Sequence, residues 1–174
     1  MKKISYALTA GLFVFATTVS FAQTEGPSDA QIAGIVVAAN TVDINAGKLA
    51  KSKSHNKEVK DFAQLMVTDH TGVNKQAAAL VKKLKVTPVD SDTSKSLKDS
   101  GAANVANLKG LKGAEFDKAY VDNEVSYHQT VLDAIDKTLI PNAKNADLKN
   151  LLVKVRPAFD AHLQHAKQIQ TTMK

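Results

Sequence analysis

The chain has 174 residues, 44% of them hydrophobic, with no cysteine or tryptophan and a formal charge of +6 at neutral pH. Without cysteine, a disulfide framework, a thiol nucleophile and a lipidated N-terminal cysteine are all excluded, and stability must come from an ordinary apolar core. The basic excess is modest and spread along the chain, with no basic arm and no aromatic residues interleaved among the lysines, so nucleic acid is not an expected partner.

Lys2 and Lys3 precede an apolar run from Ala7 to Val19 and then Ser20-Phe21-Ala22, the layout of an export signal cleaved near Ala22-Gln23. The run is too short for a stable span, and no later stretch approaches about 20 consecutive apolar residues, so an integral membrane protein is not expected. Residues 1–22 read as a cleaved signal peptide and residues 23–174 as a single helical-bundle domain, periplasmic or secreted. Loss of Lys2 and Lys3 lowers the charge from +6 to about +4. The roughly 150 remaining residues suffice to bury about two-thirds of the unfolded surface.

The pattern that follows is helical throughout. Ser28 is a candidate N-cap, and Ile32, Val36, Ala39, Asp43, Ala46 and Ala50 recur at spacings of three and four, which puts Asp43 on the buried face of a first helix. Lys48, Lys51, Lys53, Lys57 and Lys60 surround the next turn; they read as a solvated bundle end, with contact to anionic envelope lipids or polymers as the alternative. A second helix carries Val59, Phe62, Met66, His70, Val73, Ala77, Leu80 and Leu84 on one stripe, and Thr87-Pro88 stops it. The Ser/Asp/Lys-rich stretch from Asp90 to Gly101 reads as a connector. A weaker helix between Asp92 and Gly113, with Leu97, Val105, Leu108 and Leu111, is interrupted by Gly101 and crosses the bundle.

A third main helix runs from about Ala114 to Leu139, with Val121, Val125, His128, Leu132, Ile135 and Leu139 on one face. In the fourth, Leu148, Val155, Phe159, His162, Ala166, Ile169 and Met173 line the stripe, and Pro157 predicts a kink just before His162. If the connector traverses the bundle, Asp43, His70, His128 and His162 all lie roughly 15 to 21 Å from the same end, at about 1.5 Å per residue. An up-down arrangement spreads them somewhat more widely. Helix periodicity alone leaves both topologies open.

One ionisable group in each of four apolar stripes requires a cause, because such groups are costly to bury unless hydrogen-bonded, paired or metal-bound. Asp43, His70, His128 and His162 are therefore the candidate metal ligands, with Asp69, Glu124 and His165 as secondary candidates. Imidazoles and carboxylates of this kind suit a transition metal such as zinc, iron or copper. In the competing reading, backbone carbonyls, Asp43 or buried water satisfy each histidine, and the network only fixes helix register. Acid sensing through the histidines is a further reading.

Catalytic signatures are lacking: there is no His-Glu-x-x-His, Gly-x-Ser-x-Gly or glycine-rich phosphate loop. Glu124 and His128 are four apart, where a di-iron bundle uses Glu-x-x-His. Tyr120 and Tyr127 read as packing and capping residues.

Phe62-Ala63-Gln64-Leu65-Met66-Val67-Thr68-Asp69-His70, Phe116-Asp117-Lys118-Ala119-Tyr120, Val125-Ser126-Tyr127-His128 and Arg156-Pro157-Ala158-Phe159-Asp160-Ala161-His162-Leu163 together resemble the exported bacterial family called domain of unknown function 4142. The resemblance covers nearly the whole mature chain and implies a ferritin-like fold. Where that family commonly has a glutamate in its first helix, this chain has the shorter Asp43. It implies no activity. The expectation is thus an all-α protein: a ferritin-like four-helix bundle with an additional short crossover helix between main helices two and three. Its first functional reading is a non-enzymatic envelope, stress or interaction protein that engages an envelope component or a second copy of itself. Metal binding or metal sensing through the buried His/Asp cluster is the alternative.

Overall fold

The computed structural model describes residues 25–173, so the expected signal peptide and its cleavage point lie outside the described residues. Four long helices are α1 (Asp29–Lys53), α2 (Lys57–Leu84), α4 (Gly113–Ala134) and α6 (Ala146–Thr172), with α3 (Asp92–Gly110) between α2 and α4. After Ala134 the fourth helix continues through a π-helical turn, Ile135–Leu139, into a last short piece, α5 (Ile140–Asn142).

Side-chain caps explain the starts. Ser28 and Gln31 form a reciprocal capping box on α1, and Ser91 with Ser94 forms another on α3. The Asn56 and Asn145 carboxamide oxygens each accept two free backbone N–H groups at the starts of α2 and α6. Lys85 ends α2 in the left-handed conformation, with φ of 54°.

Contacts between helix ends fix the topology. Lys53 Nζ donates to the Leu108 carbonyl at 3.0 Å, so α1 and α3 finish at the same end. Lys83 meets Asp147, and Thr172 donates to Glu58, so α2 and α6 are antiparallel. The Asp29 carboxylate accepts from Lys144 and Asn145 backbone N–H groups, which brings the end of the α4–α5 run to the start of α1. Consequently α2 and α4 run parallel, and α3 must traverse the bundle, the crossover arrangement of ferritin-like folds.

Two sequence expectations need correction. The Asp90–Gly101 stretch is a connector only as far as Ser91, and α3, at 19 residues shorter than the four main helices, is continuous and not interrupted at Gly101. Gly101 is there for packing: a Cβ would fall 2.6 Å from Val42 Cγ2, so its absence lets α3 lie against α1. The third main helix also changes character after Ala134, because the π-turn preserves the apolar spacing of Leu132, Ile135 and Leu139 and leaves no trace in the periodicity. By contrast α6 runs unbroken through Pro157.

The buried side chains divide into two apolar cores. The lower one holds Ile32, Ile35, Val131, Leu132, Leu152 and Phe159, and the upper one Phe62, Met66, Phe116, Tyr120 and Ile169. Between them lies a layer of buried polar residues: Asn40, Asp43, His70, Glu124, His128 and His162. Among the described residues, no helix is long and apolar enough to cross a membrane.

Candidate metal centre

Each main helix contributes at least one side chain to the polar layer. Asp43 from α1, His70 from α2, Glu124 and His128 from α4 and His162 from α6 are all at most 4% exposed. His70, His128 and His162 each present a ring nitrogen, and the three lie within 4.8 Å of one another; Asp43, Glu124 and His128 form a second such group. The four primary candidates from the sequence therefore meet, and Glu124 joins them.

Every imidazole is held from behind by an acceptor. The His70 Nδ1–H donates to Asn40 Oδ1 at 2.7 Å, and the Asn40 amide is itself oriented by donating Nδ2–H to the Val36 carbonyl at 2.7 Å. Because that second bond makes Oδ1 the atom facing His70, the proton belongs on His70 Nδ1. His128 Nδ1–H donates to the Glu124 carbonyl at 3.0 Å, and His162 Nε2–H to Asp69 Oδ2 at 2.9 Å. These bonds leave His70 Nε2, His128 Nε2 and His162 Nδ1 as the nitrogens with a free lone pair, and all three are buried without a hydrogen-bond partner among the described residues.

The carboxylates face the same space. Asp43 Oδ2 lies 3.0 Å from His70 Nε2 and 3.5 Å from His128 Nε2, and Glu124 Oε2 lies 3.5 Å from His128 Nδ1. None of these approaches has hydrogen-bond alignment, and both Asp43 oxygens and Glu124 Oε2 lack a partner, as does the hydroxyl of fully buried Tyr120.

Burial determines the charge states. Desolvation pushes Asp43 up from the ordinary aspartate value to about 7, with Glu124 beside it pulling the other way. Glu124 is raised well above a normal glutamate by burial and by the neighbouring Asp43 charge. Desolvation holds His70 well below the usual histidine value, helped by His128 and His162, and brings His128 down to about 4 against the opposing bond to the Glu124 carbonyl. His162 is also lowered by burial, with Asp69 opposing. All three imidazoles are neutral at pH 7, the state in which a ring nitrogen can ligate.

Two secondary candidates take other places. Asp69, whose side chain is 39% exposed, stands behind His162 instead of facing the centre. His165 packs edge-on against Phe62 in the upper core and does not join the cluster. Tyr127 does not cap a helix end: its hydroxyl donates to the Ala39 carbonyl at 2.8 Å, in the middle of α1. Asn40 escaped the sequence reading; the signal was an amide three residues before Asp43 on the same helical face, in an otherwise apolar run.

A ferritin-like di-iron centre needs Glu-x-x-His on two helices. Here Val67 and Phe159 stand three residues before His70 and His162, so no glutamate is available at those positions to bridge a second metal. The donors fit a single ion: three neutral imidazoles, with two carboxyl groups whose ionisation would match a divalent charge.

A family model described as a domain of unknown function, DUF4142, matches residues 16–169. No curated protein matches the chain. No solved structure matches it either.

Proposed function

This chain belongs to the DUF4142 family, whose description assigns no biochemical role, and from that premise we propose that it is an exported protein of the cell envelope that binds one divalent transition-metal ion. The observation that carries the reading is the tautomer pattern. Three buried histidines from three helices each have one nitrogen hydrogen-bonded to an acceptor and the other free, and the free nitrogens share one space. Outer acceptors of this kind accompany metal-ligating histidines almost universally.

His70, His128 and His162 are the nitrogen ligands, and Asp43 and Glu124 supply charge and oxygen ligands. Asn40 and Asp69 hold two of the rings from the outer shell. Zinc would cross-link the helices and act as a Lewis acid there, whereas iron or copper would add one-electron chemistry. Export is supported by the Lys2-to-Ala22 pattern, and residues 23–174 are the mature domain.

The test is elemental analysis of protein purified from its native compartment without an affinity tag, beside a His70→Ala/His128→Ala variant. One equivalent of metal in the parent, lost in a variant that keeps its helicity, is the expected result. If the parent neither retains nor acquires a transition metal, the proposal fails. The histidines then serve only to set helix register, and function must be sought on the surface.

A further inference from the structure

A cavity of about 400 Å³ opens between α1 and α4 beneath the first turns of α3 and reaches into the lower core. Ile35, Val131, Leu152 and Val155 are among its wall residues, together with buried Asn40 and Phe159. The cavity is partly open to solvent, with exposed Glu25, Thr93, Thr130 and Thr138 among its lining residues. Ligand pockets run about 300–1,000 Å³ with mostly apolar walls and a few polar groups.

Two further features point to an occupant. The π-turn, which departs from the more stable α geometry, faces this cavity through Ile135, Thr138 and Leu139, and such turns recur at functional sites. Among the described residues, the charged ones that line the cavity are both acidic, Glu25 and Asp92, with no lysine or arginine beside them. An anionic head group is therefore disfavoured there.

We propose that this cavity is a binding site for a neutral, predominantly apolar small molecule. The molecule enters between α1 and α4 and ends against Phe159, whose ring lies edge-on to His70 with centroids 4.9 Å apart. Asn40 and Phe159 are shared with the surroundings of His70, but the Asn40 amide is held by the Val36 carbonyl without a metal ion, so binding is expected with and without chelator, and its failure is separable from failure of the metal site.

The whole protein, purified from the cells that produce it, is titrated with N-phenyl-1-naphthylamine, a neutral fluorophore that brightens in apolar surroundings. Saturable binding of one equivalent is expected, weakened at least ten-fold by Ala134→Phe or Ala39→Leu, which fill the cavity. Val153→Phe, on the exposed face of α6, should leave it unchanged. Because a filling variant can misfold, contacts between the probe and the Ile135 and Val155 methyl groups are also read by nuclear Overhauser effects in the parent. Absence of saturable binding overturns the proposal. Wild-type affinity in a folded filling variant, or no contact to those methyl groups, overturns it equally.

Discussion

Asp43 is the residue at which the two roles of the polar layer conflict. Its folded-state value of about 7 lies above the usual aspartate value, so between pH 4 and 7 the native state holds a proton that the unfolded chain has lost. Its contribution to stability is therefore present at low pH and disappears as pH rises through about 7. The histidines act in the opposite sense, since His70, His128 and His162 are depressed and the unfolded chain takes up their protons first, but this effect fades as pH rises past the ordinary histidine value of 6.5. Metal-free protein should thus lose stability as pH rises from 6.5 through about 7, where Asp43 gives up its proton. Asp43→Asn, which keeps the shape and can donate to His70, should flatten that slope and stabilise the metal-free protein at pH 8 by about 1–3 kcal/mol. Chemical denaturation at several pH values measures both. A destabilised Asp43→Asn protein would mean that the carboxylate is needed for structure even without metal. Asp69 offers a different expectation because it is partly exposed. Asp69→Asn should weaken zinc binding about 10–100-fold by removing the carboxylate behind His162, while stability shifts by less than about 1 kcal/mol; titration calorimetry with zinc reads the first and thermal unfolding the second.

At the scale of elements, the geometry of the centre depends on how closely α1 approaches α2. Gly47 lies one turn beyond Asp43, and a Cβ there would come within 3.0 Å of the Ala63 carbonyl oxygen and 3.1 Å of Val67 Cγ2. Gly47→Leu should force the two helices apart, cost about 1–3 kcal/mol as overpacking does, and widen the 3.0 Å gap between Asp43 and His70. Lower melting temperature together with weaker metal binding is the expected pair of results; a lower melting temperature with unchanged binding would show that the centre tolerates the shift. The helices themselves were readable because apolar residues recur at three and four, and Asp43, His70, His128 and His162 were visible as exceptions to that recurrence. Other features were hidden for specific reasons. The π-turn keeps the apolar register and looks like α-helix, and Gly101 looks like a breaker because the sequence does not show Val42 opposite it. A rotation of about 100° per residue separates adjacent helical positions, so periodicity could place Glu124 near the centre and Asp69 near it too without deciding that one faces inward and the other stands behind a histidine.

For the whole molecule, the polar layer lies where two apolar cores are divided, and all four main helices cross it. An ion bound there touches every one of those helices in the native state, while in the unfolded chain the segments that supply its ligands are far apart in sequence. Ligand linkage then requires that the bundle be stabilised by about 2.7 kcal/mol when free metal is 100-fold above its dissociation constant. For a protein of this length, each kcal/mol moves the melting temperature by about 2–4 °C, so saturating metal should raise it by about 5–11 °C, growing with concentration and reversed by chelation. The effect should also grow with pH, since Asp43 and Glu124 must give up protons that burial holds on them before they can serve the ion. Differential scanning calorimetry across zinc concentrations at pH 6 and pH 8 tests the magnitude and the direction together. A uniform shift at both pH values would mean that Asp43 takes no part in binding, because it must give up its proton within that range.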